Sequence, residues 1–198
     1  MAQKKIIIFL LIPLLLLLCG CRVVLFEDMI KETITSKKVQ LESNVFIKKK
    51  KLTVRHVTTF PPGSIFNFEL RPYPEDTLLK KIFNYDLDAP KESVLSKEII
   101  VNDDGTLDAS ILDRPDLMKR YLLQITFSPQ LQEDSVKEIF GNTGEGLSKG
   151  DGVEALEDGS YVYRKYINIM NYEDPDGIGG PLEFLSKAEI EEMFHKEQ

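Results

Sequence analysis

Residues 51–70 read KLTVRHVTTFPPGSIFNFEL and contain two predicted strands separated by a turn. The first half is rich in β-branched residues, and in the second half Phe66, Phe68 and Leu70 alternate with other positions. Because successive side chains of a strand point to opposite faces, this alternation places two rings and a leucine on one face. Pro61-Pro62-Gly63 supplies the turn. The stretch therefore predicts two strands, the second of them half-buried.

The same period of two continues along the chain in residues 121–127 and again in residues 161–169, where Lys165 interrupts the apolar face. Between these and the first strands, the segment Asn102-Asp103-Asp104-Gly105 separates two β-branched or apolar runs. An Asp-Gly pair favours the positive backbone angles of a hairpin turn, so we expect residues 99–101 and 106–108 to pair. Regular strands with turn residues between them predict a mainly β protein, a β-sandwich.

Two short helices are also predicted. Val136, Ile139 and Phe140 have helical spacing, and Gly141 is placed to end a helix that begins near Glu133. Near the C-terminus, Ser186 and Glu189 have the spacing of a capping box and precede an apolar stripe formed by Ile190, Met193 and Phe194. We expect a sandwich with a short helical insertion and a C-terminal helix that packs on a sheet.

The first 21 residues have the pattern of an export signal. Lys4 and Lys5 precede an apolar run from Ile6 to Leu18, which is short for a membrane span of about 20 residues. Leu18-Cys19-Gly20-Cys21 follows and resembles the lipobox of bacterial lipoproteins. That resemblance implies cleavage before Cys21, a diacylglyceryl group on its sulfur, and a protein held on the extracytoplasmic face of the cell membrane. In a host with two membranes, Arg22 resembles the outer-membrane sorting pattern.

The alternative is an uncleaved anchor in which the apolar run continues across Arg22 to Phe26. It is disfavoured because an arginine deep in the bilayer costs about 2.5 to 3.5 kcal/mol. The predicted organisation is a signal peptide at 1–20, a membrane-proximal linker at 21–46 and the sandwich with its helix at 47–198. The cluster Lys48–Lys51 falls at the start of the sandwich, where it is either a solvated strand edge, which we favour, or a contact with anionic headgroups.

Composition restricts the function. The formal charge is -7 over 198 residues, and removal of Lys4 and Lys5 with the leader leaves 23 basic and 32 acidic side chains. An acidic body repels phosphate backbones, so nucleic acid is not an expected partner. After cleavage Cys21 is the remaining thiol, so no disulfide within the chain is expected.

A second resemblance covers roughly residues 50–170. The order of the Thr59–Gly63 turn, Asp103-Asp104-Gly105, Arg120-Tyr121, Phe127-Ser128-Pro129 and Gly141–Gly144 is similar to immunoglobulin-like domains of uncharacterised Gram-positive surface lipoproteins. In such domains the Pro-Gly turn joins two early strands and the Asp-Gly turn makes a hairpin. The resemblance implies an immunoglobulin-like β-sandwich and a surface location, and it transfers no catalytic residue.

Reactive groups are sparse. His56 and His195 have no second ligand at metal spacing, and no serine has an obvious base. The best metal candidates are Asp174 and Asp176, which resemble part of a calcium loop, although Leu185 stands where a closing glutamate belongs. The pairs Asp103 with Asp104 and Asp151 with Glu154 are less specific calcium candidates. A glycoside hydrolase needs two carboxylates about 5 to 9.5 Å apart in a cleft, and spacing in the sequence does not single out a pair. Tyr161, Tyr163 and Tyr166 are a candidate sugar-stacking surface.

These observations favour a non-enzymatic, lipid-anchored module without a cofactor, binding or supporting an envelope protein or cell-wall polymer. A cell-envelope hydrolase acting through acidic residues and a calcium-dependent adhesion module are the alternatives. The discriminating feature for the hydrolase is a cleft with two convergent carboxylates.

Overall fold

A computed structural model describes residues 36–85, 89–174 and 182–195. The described residues form nine strands, three α-helices and a 3-10 turn at Pro129–Leu131. The strands are β1 Leu41–Lys48, β2 Lys51–Thr58, β3 Ile65–Pro72, β4 Leu95–Ile100, β5 Ser110–Asp113, β6 Tyr121–Phe127, β7 Val153–Ala155, β8 Tyr161–Ile169 and β9 Leu182–Glu183. The helices are α1 Leu79–Phe83, α2 Asp134–Phe140 and α3 Lys187–His195.

The strands form two antiparallel sheets, a four-stranded sheet in the order β5-β2-β1-β9 and a five-stranded sheet in the order β4-β3-β6-β8-β7. β6 lies between β3 and β8, as strand F lies between C and G in immunoglobulin-like domains, and β2 lies between β1 and β5, as B lies between A and E. Buried side chains of both sheets belong to one core. The predicted mainly β, immunoglobulin-like sandwich is confirmed.

A tyrosine corner fixes the start of the central strand β6. The hydroxyl of Tyr121 accepts a hydrogen bond from the backbone nitrogen of Asp116 at 3.1 Å and donates to its carbonyl oxygen at 3.2 Å. The ring is buried in the core, so the hydroxyl ties the incoming loop to that core. This tie from a tyrosine at the start of strand F to backbone a few residues upstream recurs in immunoglobulin-like sandwiches.

The core is built around the ring of Phe60, which follows β2. Its centroid lies between 4.7 and 5.8 Å from four other rings, contributed by the five-stranded sheet and by α2: Phe66, Phe127, Phe140 and Tyr163. Tilted and edge-on aromatic pairs of this kind contribute about 0.5–1.5 kcal/mol each beyond the area they bury. The period-two pattern in the sequence gives the correct core-facing side of β3, β6 and β8 in the five-stranded sheet.

Helix α1 was not predicted, and it covers part of the outer face of the five-stranded sheet. Ile82 is fully buried there in a second apolar cluster with Leu122 and Met170. The side-chain amide of Asn168 donates to the carbonyl oxygen of Ile82 at 2.7 Å and fixes the helix on the sheet. Both faces of β6 are consequently buried, because the connection from β3 to β4 folds back across its outer side.

The capping box at the C-terminal helix is confirmed. Ser186 Oγ accepts from the backbone nitrogen of Glu189 at 3.1 Å, and the Glu189 carboxylate accepts from the Ser186 nitrogen at 2.7 Å. Immediately before it, β9 pairs with β1 of one sheet, whereas Leu185 pairs with Tyr166 of the other. This segment therefore joins the two sheets at one edge. The other predicted helix is α2, and Gly141 directly follows it with φ 78°.

Two sequence predictions need correction. The sheet begins at Leu41, so residues 41–46, predicted as linker, belong to strand β1. Ser43 is buried at an inward position of β1, and this polar residue obscured the alternation. The cluster Lys48–Lys51 is the tip of the hairpin between β1 and β2, with Lys48 paired to Lys51, and is not a strand edge.

The predicted hairpin around Asp103 and Asp104 is also wrong, although the turn itself is present. Gly105 has φ 79°, and the backbone nitrogen of Asn102 donates to the carbonyl oxygen of Thr106 at 2.8 Å. β4, however, pairs with β3 in the five-stranded sheet, and β5 pairs with β2 in the four-stranded sheet. The connection therefore crosses between sheets, a choice that depends on neighbours far away in the sequence.

Candidate functional site

One end of the sandwich, called the distal end here, gathers four chain segments. In the register of the five-stranded sheet, Pro72 lies beside Tyr121, which lies beside Ile169, and in the other sheet Lys51 pairs with Asp113. The segments that extend from these positions therefore meet at one end. They are the β1–β2 turn at 49–50 and residues 73–78, 114–120 and 170–174.

The chain reaches the sandwich at the opposite end, called the proximal end. There the backbone nitrogen of Lys37 donates to the carbonyl oxygen of Gly146 at 2.8 Å, and Val39 is buried. β1 then runs the length of the sandwich from Leu41 to Lys48. Eight residues of strand span about 26 Å, so the distal end is separated from the N-terminal attachment by the full sandwich.

A buried guanidinium joins the two sheets at the distal end. Arg114 is only 1% exposed, and it donates from Nε to the carbonyl oxygen of Lys49 at 3.0 Å and from Nη1 to that of Met170 at 2.7 Å. Desolvation lowers the pKa of this guanidinium from its ordinary value. Nη2 is buried with no hydrogen-bond partner. Arg114 thus fixes the hairpin tip of one sheet against the end of β8 in the other.

Two adjoining cavities of about 670 and 390 Å³ form a groove at the distal end. They share four lining residues from two segments: Tyr73, Pro74, Glu75 and Lys119. The first extends along residues 90–92, and the second extends to Asp116, Met118, Arg120 and Asn171. Both cavities are open to solvent, and proline, tyrosine and charged side chains line them.

The walls of the groove are fixed by hydrogen bonds from the backbone and from a buried phenol. Tyr73 donates its backbone hydrogen to the carbonyl oxygen of Arg120 at 2.9 Å, and its hydroxyl donates to Asn168 at 2.7 Å. Burial raises the pKa of Tyr73. The charges of the exposed rim pair across it, with Lys119 at 3.6 Å from Glu75. These bonds tie the wall at Tyr73 to β6 and β8, and the rim of the groove carries both signs of charge.

At one end of the groove, Arg120 forms a bidentate ion pair with Asp174. Arg120 donates from Nε and from Nη2 to the two oxygens of Asp174, both at 2.8 Å. The hydrogen bond with Arg120 lowers the pKa of Asp174, and the same bond raises the pKa of Arg120. The pair connects the loop before β6 to the segment after β8.

This pairing bears on the calcium interpretation. Both oxygens of Asp174 are committed to Arg120, and one also accepts from the backbone nitrogen of Asn171 at 3.1 Å. A cation at Asp174 would have to displace the guanidinium. Asp176, the other candidate, lies outside the described residues. Among the residues that the structure describes, no three or more His, Cys, Asp or Glu side chains are grouped so that they could hold a metal ion.

Three carboxylates of the less specific calcium candidates have partners of their own. Asp104 accepts from the Thr106 hydroxyl at 2.6 Å within its own turn, which lowers its pKa. Asp151 lies 3.3 Å from the amine of Lys165. Glu154 binds Arg164 at 3.1 Å and accepts from the Tyr166 hydroxyl at 2.8 Å. None of these three carboxylates lines the distal groove.

The three tyrosines considered for sugar stacking do not share a surface. Tyr163 points into the core, where its hydroxyl accepts from the backbone nitrogen of Leu41 at 3.1 Å. Tyr161 packs against the same core from its edge. Tyr166 has the opposite parity in β8 and lies on the outer face beside Glu154. The period of two along β8 places residues 161 and 163 on the core face and residue 166 on the other.

Sequence reasoning missed a polar pair inside the sandwich. Nδ1 of His56 lies 2.8 Å from the hydroxyl of Ser43, its ring stacks 5.4 Å from that of Phe68, and its Nε2 is buried without a partner. Burial lowers the pKa of His56 to about 4, so the ring is neutral at pH 7. Ser43 and His56 are direct partners in the register of β1 and β2, which only the recognition of β1 could have revealed. His195 ends α3.

The predicted lipidation site, Cys21, lies with the leader outside the described residues. Within the described ranges, 36–85, 89–174 and 182–195, no helix is long and apolar enough to cross a membrane. Comparison of the chain with protein-family models, with curated proteins and with solved structures found no match.

Proposed function

We propose that this chain is an exported lipoprotein, anchored through Cys21, whose immunoglobulin-like sandwich binds a partner at its distal groove without catalysing a reaction. The observation that carries the proposal is the position of the groove. It lies at the end of the sandwich opposite to the N-terminal attachment at Lys37. The groove is therefore separated, within the described structure, from the point at which the chain enters the sandwich.

The character of the groove supports a binding role. Its walls are fixed by the Arg120–Asp174 pair and by the backbone bond from Tyr73 to Arg120, so a partner meets a preformed surface. A preformed site avoids part of the entropy cost of ordering loops on binding. Loops at one end of a sandwich, positioned by a rigid scaffold, are a common place for recognition.

The distribution of acidic groups favours binding over hydrolysis. Glycoside hydrolysis needs two carboxylates about 5–9.5 Å apart across a cleft, one of them available as an acid. The carboxylates that line the groove are Glu75, Glu92 and Asp116. Glu75 pairs with Lys119, and Asp116 accepts from the backbone nitrogen of Met118 at 2.9 Å. Asp174 does not line the groove, and its hydrogen bond with the lining residue Arg120 lowers its pKa. A carboxylate with a lowered pKa, such as Asp174, is a poor proton donor near neutral pH.

Anchoring is tested with radiolabelled palmitate in cells that produce the wild-type chain or Cys21→Ser. We expect label and a processed mass only for the wild type, and release of the variant from the anchor. Labelling of both forms, or recovery of soluble full-length wild-type chain inside cells, would contradict the anchoring step.

Binding is tested by photo-cross-linking from a single position in living cells. A photoreactive residue at Glu75 samples the groove, and one at Leu131, which is 74% exposed near the proximal end, is the matched control. We expect a discrete cross-linked product from position 75 and none from position 131. Equal products from both positions, or recovery of the protein alone from both, would refute a distal binding site.

A further inference from the structure

We propose that the distal end binds a linear polyanionic polymer of the cell envelope through the β1–β2 hairpin tip, defined by Lys48, Lys49, Lys50 and Lys51. The inference rests on the proposed function, because it names the chemistry of the partner that the distal end meets. Four consecutive lysines occupy the tip, and all four are exposed. Only Lys51 has an acidic partner in the described structure, Asp113 at 3.4 Å.

The local charge differs in sign from that of the whole chain. The formal charge of the chain is -7, whereas the tip carries four positive charges, of which one is paired with the carboxylate of Asp113. Charges farther apart than about 8–10 Å are largely screened at physiological salt. A polyanion that approaches the tip is therefore attracted, and the acidic remainder of the surface repels it. This contrast favours contact through the tip alone.

The backbone of the turn gives a second, independent indication. Lys49 has φ 53°, in the left-handed region that disfavours residues with a Cβ. It is the first of the two turn residues between the paired Lys48 and Lys51, a position at which two-residue hairpin loops favour glycine or asparagine. A lysine stands there although glycine would form the turn with less strain. Backbone strain at an exposed lysine indicates that the Lys49 side chain has a role beyond forming the turn.

Arg114 makes the tip a rigid part of the distal end. Its Nε donates to the carbonyl oxygen of Lys49, and its backbone nitrogen donates to that of Lys50 at 2.8 Å. The lysines are thus presented from a fixed backbone at the same end as the groove. Anionic lipid headgroups carry the same charge as such a polymer and are therefore the competing target.

The test uses full-length protein reconstituted into phosphatidylcholine vesicles and measures its cosedimentation with linear polyphosphate at about 0.15 M salt, where the screening length is about 8 Å. Each lysine near an anionic surface contributes about 1 kcal/mol, which corresponds to about five-fold in affinity. We therefore expect the triple variant K48Q/K49Q/K50Q to bind about 100-fold more weakly. The matched control K38Q/K97Q/K187Q loses the same charge from three exposed lysines elsewhere and is expected to change affinity less than three-fold.

Two further arms make the outcomes distinct. Lys49→Gly is expected to fold with at least wild-type stability and to bind about five-fold more weakly, so a loss of binding there is not a loss of folding. Vesicles containing phosphatidylglycerol replace polyphosphate in the second arm, and binding of these vesicles without binding of polyphosphate would overturn the polymer as partner.

Absence of polyphosphate binding, or an equal loss in the control triple variant, would also overturn the proposal. If discrete cross-links from position 75 persist in that case, only the chemistry of the partner is refuted. If those cross-links are absent as well, the distal binding function fails with it.

Discussion

Acidification between pH 6.5 and 4.5 is expected to destabilise the sandwich through His56. The pKa of this ring is about 4 in the folded protein and 6.5 in its ordinary state, because burial disfavours the imidazolium. The neutral ring therefore contributes stability fully above pH 6.5, and this contribution is lost as the pH falls toward 4. Each pH unit between the two pKa values corresponds to about 1.4 kcal/mol. The free energy of unfolding therefore falls by at most about 3 kcal/mol over this range.

The assay is urea unfolding of the wild type and of His56→Gln at several pH values from 7.5 to 4.5. We expect the free energy of unfolding of the wild type to fall steeply below pH 6.5, and that of the variant to stay nearly level. The carboxylates with lowered pKa, Asp104 and Asp174 among them, lose their contributions below about pH 4 and leave this window clear.

His195→Gln is the control, since it removes the other histidine of the chain. We expect it to retain the pH dependence of the wild type. Wild-type stability that is level from pH 7.5 to 4.5, or a slope that survives in His56→Gln, would show that the buried His56 ring does not govern acid stability.

Three further changes have expected outcomes. Asp174→Asn removes the charge that pairs with Arg120 and should lower the free energy of unfolding by about 1–3 kcal/mol. Millimolar calcium should leave the melting midpoint of the wild type unchanged. A rise in that midpoint would support a calcium loop at Asp174 instead. Gly152→Ala should lower the free energy of unfolding by about 1–3 kcal/mol, because φ is +83° and the new Cβ would lie 2.6 Å from a buried ring. Gly105→Ala, with φ +79° and open space around it, should lower it by only about 1 kcal/mol. Thermal melting of both variants measures the difference. Ser186→Ala should cost about 1 kcal/mol and fray the last helix, which hydrogen exchange of its first turn would detect; unchanged exchange would show that the cap does not hold the helix.

Local pattern was sufficient for much of the fold. The alternation in residues 65–70 and 121–127 placed the buried faces correctly, since strand periodicity is a property of the backbone itself. Ser186 and Glu189 predicted the start of the last helix, because a capping box lies within a single helical turn. The turn at Gly105 was predicted correctly for the same reason, although the pairing of its flanking strands was not.

Contacts between segments that are far apart in the sequence could not be predicted from local sequence patterns. β1 was missed because Ser43 occupies an inward position, where only the facing His56 makes a polar residue acceptable. The distal groove joins residues near 73, 119 and 171, which meet only because β3, β6 and β8 pair side by side. Short-range order along the chain thus determined the strands, the turns and the caps. Strand register and sheet packing, which depend on contacts across tens of residues, decided the sheet order, the groove and the exposed lysine tip.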